Sequence, residues 1–177
     1  MKPVSEMAYH PMSEQVVDIL CTKTQNQERL FFRVVLAYYW AQIASSMRAE
    51  IHGFDRGSLP INIYALNLSP SGTGKGYSTS LIEREIINQF REQFLEYTFP
   101  EIAEQHLLEQ AHKRATRKST PDNTIDPADE LVAVRKEFDS LGSLLFSFDS
   151  GTTPAVKQMR HKLLMGNAGA VNLQIDE

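Results

Sequence analysis

The chain has 177 residues, of which 42% are hydrophobic and 23% charged, and this composition excludes a disordered or collagen-like protein and predicts a globular one with a core. Its formal net charge of -4 excludes a general electrostatic attraction to nucleic acid or to an anionic membrane, so binding to either needs a local basic patch. Because the only cysteine is Cys21, and because no signal peptide or membrane-spanning run is predicted, we expect a cytoplasmic protein with no disulfide and no membrane partner.

Residues 1–59 are predicted to form an N-terminal helical region. Ser13 can cap a first helix, and a longer helix from about Gln27 to Ile51 carries apolar side chains nearly all round, which is typical of a buried helix. The aromatic residues at 38–40 could stack on nucleic-acid bases, but on a buried helix they are more typical of a core or of a subunit contact. Turn-forming residues then end this region.

Residues 60–177 are predicted to form a second region, in which strands alternate with helices. An apolar run at 61–68 predicts a strand covered on both faces, and the amphipathic helix after the next loop is expected to break at Pro100. A helical insertion at about 100–141 follows, and Asp126 is the expected cap of its last helix.

Two more strands are predicted toward the end of the sequence, with a helix between them. Residues 143–148 form the first, which leads to Asp149, and residues 170–175 form the second, which leads to Asp176 and Glu177. Strands that alternate with helices favour a parallel sheet. The predicted fold is therefore α/β, a RecA-like P-loop NTPase with a parallel sheet flanked by helices, an N-terminal helical region and a helical insertion.

A glycine-rich loop joins the first predicted strand of this region to the following helix, with the sequence Ser69-Pro70-Ser71-Gly72-Thr73-Gly74-Lys75-Gly76. Small residues let several backbone N–H groups converge on one anion, while the helix directs its positive end at the same point. Lys75 would then reach the β and γ phosphates of a nucleoside triphosphate. The alternative is a glycine-rich turn with a solvated lysine. The predicted nucleotide-binding residues are Ser71, Gly72, Thr73, Gly74, Lys75, Gly76 and Tyr77.

This loop departs from the usual Walker A pattern at two positions. Ser69 stands where the first glycine is expected, and Gly76 stands where a serine or threonine would bind magnesium. Ser78 or Thr79 could supply an oxygen only if the loop or the start of the helix were shifted. The second departure therefore bears directly on how magnesium could be held.

The acidic residues that follow the last two predicted strands are the other candidate site residues. Asp176 and Glu177 look like a Walker B element, in which Asp176 holds magnesium and Glu177 activates the attacking water. The alternative is a pair of acids at a frayed chain end. Asp149 is expected at the same edge of the sheet, where it would contact magnesium or cap the next helix.

A basic stretch at 112–118 contains His112, Lys113, Arg114, Arg117 and Lys118. It could contact the phosphates of a nucleic acid. A solvated helix end, where basic side chains complement the helix dipole, explains it more simply.

The order of these segments resembles a family of phage and plasmid primase-helicase-like P-loop ATPases, long known as a domain of unknown function. The likeness lies in residues 60–75 and 148–177, and its fixed points are Ser71-Gly72-Thr73-Gly74-Lys75, Asp149, Thr153-Pro154 and Asp176-Glu177. Between these stretches the chain is similar to the family only in being helical.

The resemblance implies an ATP-binding and ATP-hydrolysing core of a helicase-type or primase-type replication protein of a mobile element. It also implies ATP and Mg²⁺ as ligands, catalytic roles for Lys75 and Glu177, homo-oligomers, a nucleic-acid partner with DNA expected, and the host cytoplasm as the location for a phage protein. Such ATPases continue past their Asp-Glu pair with a sensor residue and an arginine finger. The chain is accordingly expected to be a fragment that binds nucleotide without turning it over alone.

Two other functions stay open at the level of sequence. Gly-Thr-Gly-Lys-Gly also resembles the loop of adenylate kinases, which would make the chain a nucleotide kinase. A nucleotide-binding assembly module without catalysis is favoured by Gly76. Phosphoryl transfer to an added nucleoside monophosphate would identify the kinase, and binding without phosphate release would identify the module.

Overall fold

The structure is a computed structural model, and it describes residues 8–24, 26–68, 70–148 and 152–174. Helices make up 64% of these residues, and the strands among them form two sheets of two strands each. The prediction of a RecA-like α/β fold with an extended parallel sheet is therefore wrong for the described part of the chain. The contacts divide the chain into two compact units, Met1–Ser45 with Ala49–Gln89 and Ser46–Arg48 with Phe90–Glu177.

The first unit begins with a hairpin of two helices, α1 (Pro11–Thr24) and α2 (Arg29–Ser46). Part of their apolar side chains are buried, and Phe32 and Tyr39 are the largest of these. Glu14 of α1 accepts hydrogen bonds from Arg33 at 2.7 and 2.8 Å and from Arg29 at 2.6 Å. These two arginines hold the pKa of Glu14 at about 2, below its usual 4.5, and tie the helices together.

An antiparallel hairpin follows, formed by β1 (Glu50–Gly53) and β2 (Gly57–Pro60) with Glu50 opposite Pro60. The long helix predicted to reach Ile51 therefore ends earlier. Gly57 has a φ of 68°, which the tight turn between the strands requires and which glycine adopts without strain.

The segment after β2 differs most from its prediction. Residues 61–68 form no strand, and Tyr64 is fully exposed while Leu66 is 82% exposed. A buried strand needs backbone partners and cover for both faces, and the described residues give this segment neither. The apolar composition predicted the strand from local preference alone, and the prediction is wrong here.

A run of helical residues extends from Lys75 to Lys118, and it comprises α3 (Lys75–Ile82), the π-helical turn Glu83–Ile87, α4 (Asn88–Gln93), the π-helical turn Phe94–Thr98 and α5 (Phe99–Lys118). The predicted break at Pro100 does not occur. Pro100 lies in the first turn of α5, directly after the second π-helical turn. Proline lacks an N–H donor, and its ring crowds the preceding turn of a helix. A π-helical turn widens the helix at that point, so the helix continues through Pro100.

The second unit packs α5 against α6 (Pro127–Ser140) and α7 (Thr153–Met165) around a cluster of Leu107, Val134 and Met165. Asp126 caps α6 as predicted, because its side chain accepts from the Ala128 N–H at 2.8 Å. The strands β3 (Ser147–Phe148) and β4 (Asn172–Leu173) pair in parallel. Each is much shorter than the strand predicted at its position.

Candidate phosphate-binding loop

The glycine-rich loop leads directly into the first turn of α3. Gly72 and Gly74 have φ values of 85° and 81°, in the left-handed region that favours glycine. Gly74 is the N-cap residue, and the first helical bond runs from the Ser78 N–H to the Gly74 carbonyl at 2.9 Å. The N–H groups of this first turn therefore point out of the end of the helix, as at any helix N-terminus.

The loop is open around two of its glycines. A Cβ atom placed on Gly72 or on Gly76 would meet none of the described residues within 4 Å beyond its own surroundings in the chain. A Cβ on Gly74, in contrast, would lie 2.7 Å from the Cβ of Thr24 in α1. One part of the loop is thus accessible, while Gly74 is packed against the first helix.

The electrostatic setting of this helix end suits an anion. The first turn of α3 contains no acidic side chain, and Lys75 is its first residue. The N-terminus of a helix carries a partial positive charge, which the basic Lys75 side chain adds to. Backbone donors and positive charge therefore occupy the same short segment.

The hydroxyl groups of the two residues nearest the loop, Ser78 and Thr79, donate to backbone carbonyls of the first helical turn. Ser78 is fully buried and donates to the Lys75 carbonyl at 2.8 Å. Thr79 donates to the carbonyls of Lys75 and Gly76 at 3.2 and 3.0 Å. Either hydroxyl could replace the one missing at Gly76 only if the loop or the start of the helix were shifted. Because α3 begins at Lys75, this shift does not occur.

All seven predicted nucleotide-binding residues lie in one continuous turn and helix start, residues 71–77. Tyr77 is half exposed on the first turn of α3. The Thr73 hydroxyl donates to the Pro70 carbonyl at 3.0 Å and closes the loop locally. These seven residues are consecutive in the sequence, so their proximity is given by the chain and their role in binding stays a prediction.

The predicted catalytic and metal-binding acids, Asp149, Asp176 and Glu177, lie outside the described residues. The strands that precede them, β3 and β4, are parallel neighbours with Phe148 opposite Leu173. Their carboxyl ends therefore meet at one edge of this small sheet. Across the described ranges, no group of three or more His, Cys, Asp or Glu side chains is arranged to hold a metal ion.

The basic stretch at the end of α5 is largely paired with acids of its own unit. Lys113 pairs with Glu109 at 3.5 Å, Arg114 with Glu137 at 2.9 Å, and Lys118 with Glu130 at 2.6 Å. The hydrogen bond from Arg114 lowers the pKa of the Glu137 carboxyl, and the hydrogen bond from His161 lowers it by a smaller amount. These pairs favour the interpretation as a helix surface over that of a nucleic-acid contact.

Sequence reasoning missed two residues that contact the loop, Thr24 and Asn26. The Asn26 side-chain amide donates to the Thr73 carbonyl at 2.9 Å, across 47 residues of sequence. No local pattern marks either residue as part of a binding loop, because the contact depends on how α1 packs against α3.

Comparison with known proteins finds no matching family model, no matching curated protein and no matching solved structure. The resemblance of residues 60–75 and 148–177 to primase-helicase-like ATPases stays a prediction. Of the helices in the described part of the chain, none is both long enough and apolar enough to cross a membrane.

Proposed function

We propose that this chain binds the phosphate groups of a nucleoside triphosphate, with ATP expected, through residues 70–77. The observation that carries the proposal is the arrangement of two left-handed glycines, Gly72 and Gly74, leading directly into a helix whose first residue is Lys75. Successive N–H groups in such a turn form an anion-binding concavity, and the helix end adds its partial positive charge.

Each part of the loop has a distinct role in this proposal. The N–H groups of the first turn of α3 donate to phosphate oxygens, as they do at other anion-binding helix ends. The Lys75 ammonium group neutralises phosphate charge, and the open space around Gly72 and Gly76 lets the backbone approach the ligand closely. The proposal depends on this local geometry and requires no parallel sheet.

Magnesium fits the described residues poorly. The position that would supply a hydroxyl is Gly76, and the hydroxyls of Ser78 and Thr79 are bonded to backbone carbonyls. We therefore assign no magnesium ligand among the described residues. Three roles stay predictions: metal binding by Asp149 and Asp176, water activation by Glu177, and hydrolysis itself.

The wider role is a prediction of the resemblance: a helicase-type or primase-type replication protein that forms homo-oligomers and acts on DNA. Phosphate binding at the loop is common to that role, to the kinase and to the assembly module. It is therefore the first claim to test.

Isothermal titration calorimetry with three ligands tests the proposal. ATP and inorganic tripolyphosphate are expected to bind, and adenosine to bind far more weakly, because the loop recognises phosphate. Tripolyphosphate should also displace ATP. A chain that binds adenosine as well as ATP, or that binds neither ATP nor tripolyphosphate while folded, would contradict the proposal.

A further inference from the structure

The turn between α1 and α2 lies directly against the phosphate-binding loop. Asn26 donates from its side-chain Nδ2 to the Thr73 carbonyl at 2.9 Å. The Thr24 side chain packs so closely on Gly74 that its Cβ and Cγ2 would be 2.7 and 2.9 Å from an added Cβ. Two adjacent loop residues are thus contacted by the last residue of α1 and by a residue of the turn that follows it.

The orientation of the Asn26 amide is determined by its other bonds. Its Oδ1 accepts from the Glu28 N–H at 2.9 Å, so the remaining Nδ2 faces Thr73 as a donor. The Asn26 N–H donates to the Thr24 hydroxyl at 3.3 Å, and that hydroxyl donates to the Leu20 carbonyl at 2.8 Å. The turn is therefore held by its own hydrogen bonds before it contacts the loop.

The turn is also anchored to both helices. Glu14 of α1 accepts from Arg29 and Arg33 of α2, and Asp18 of α1 pairs with Arg29 as well. Arg29 follows Asn26 by three residues. These ion pairs join the two helices on either side of the turn.

We infer that Asn26 is a positioning residue for phosphate binding, with Thr24 in support; this inference rests on the proposed function. The described chain contains no cis peptide bond, so the Thr73 carbonyl and the Gly74 N–H point to opposite sides of one trans peptide. Holding the carbonyl toward Asn26 directs the Gly74 N–H away from Asn26, as a preorganised donor for phosphate. Thr24 packs on Gly74 and leaves no space there for a side chain.

The test compares Asn26→Ala with Asn172→Ala in the whole chain. Asn172 is a matched control, because its Nδ2 also donates to a backbone carbonyl at 2.9 Å, that of Phe146 in the second unit. Asn26→Ala removes the hydrogen bond to the Thr73 carbonyl. The loss of one such bond is expected to weaken the binding of ATP and of tripolyphosphate about tenfold. Asn172→Ala is expected to leave both affinities unchanged.

The amide resonance of Gly74 in a ¹H–¹⁵N correlation spectrum separates positioning from a general loss of structure. In the wild type, tripolyphosphate should shift this proton downfield, as expected for an N–H that donates to phosphate. In Asn26→Ala the shift should shrink while the resonances of α2 stay in place. Should Asn26→Ala unfold, Asn26→Ser offers a milder change, because a serine hydroxyl can still accept from the Glu28 N–H without reaching Thr73.

The outcomes separate the two claims. Wild-type binding together with unchanged affinity and an unchanged Gly74 shift in the Asn26 variants would overturn the positioning role and leave the proposed function intact. Absence of any phosphate binding by the wild type would overturn the proposed function, and the positioning role with it.

Discussion

At the scale of single residues, Gly76 is the position where the loop departs most from a magnesium-binding pattern. Among the residues that the structure describes, none lies within 4 Å of a Cβ placed on Gly76 apart from its own helix, and Gly76 is helical with no left-handed φ. A serine can therefore be introduced without strain and would place a hydroxyl where Walker A loops carry one.

Gly76→Ser is expected to make ATP binding more dependent on magnesium. Titration of ATP with and without Mg²⁺ measures this, and Gly76→Ala is the control because it fills the same space without a hydroxyl. Both variants should gain a few tenths of a kcal/mol of stability over glycine in a helix. Equal magnesium dependence in the serine and alanine variants would show that the missing hydroxyl is not what limits metal binding.

Gly74 and Gly72 share a left-handed backbone but differ in their surroundings. Replacing either with alanine should cost about 1–2 kcal/mol of stability for the unfavourable φ. Gly74→Ala should cost more, because its Cβ would overlap Thr24 whereas that of Gly72 meets open space. Urea unfolding measures both values, and equal losses would contradict the contact between the loop and α1.

At the scale of elements, the α1–α2 hairpin depends on the charge of Glu14. Its pKa is lowered to about 2 by hydrogen bonds from Arg33 and Arg29, from an ordinary value of 4.5. A lowered carboxylate pKa means that the folded state favours the ionised form. The stability it contributes is fully present above about pH 4.5 and is lost as the pH falls toward 2.

Glu14→Gln is therefore expected to lower the melting temperature at neutral pH and to flatten its dependence on pH between 4.5 and 2. Melting curves across this range measure the effect, and Glu92→Gln is the control because Glu92 is exposed on α4. If the melting temperature of Glu14→Gln depended on pH as strongly as that of the wild type, the role of these ion pairs would be contradicted.

The elements that sequence predicted well are those whose causes are local. Asp126 and Pro127 begin α6 through one side-chain hydrogen bond and a fixed φ, both readable from neighbouring residues. The left-handed glycines of the glycine-rich loop and the helix start at Lys75 are local in the same sense. Such features were predictable because the atoms that produce them lie within a few residues of each other.

The features that sequence predicted poorly depend on distant partners. The apolar run at 61–68 favoured a buried strand, yet a strand exists only where another strand and two covering layers are present. The Asn26 contact with Thr73 spans 47 residues and has no periodic signature. Pro100 predicted a helix break, and the π-helical turn before it removed the steric reason for one.

At the scale of the whole molecule, the chain divides into two mainly helical units, and the proposed phosphate-binding loop belongs to the first. Its proposed activity follows from one segment, residues 70–77, held by the turn between α1 and α2. Hydrolysis and a role in replication require residues and partners beyond that segment. The claim on which all of them depend is that the loop binds phosphate.

The most direct measurement is the affinity for a fluorescent ATP analogue of the wild type, of Lys75→Ala and of Lys157→Ala. Lys157 is an exposed lysine of α7 in the second unit, so its removal changes the net charge equally. Binding that is lost in Lys75→Ala and kept in Lys157→Ala is the predicted result. Equal binding by all three folded proteins would contradict the phosphate-binding loop.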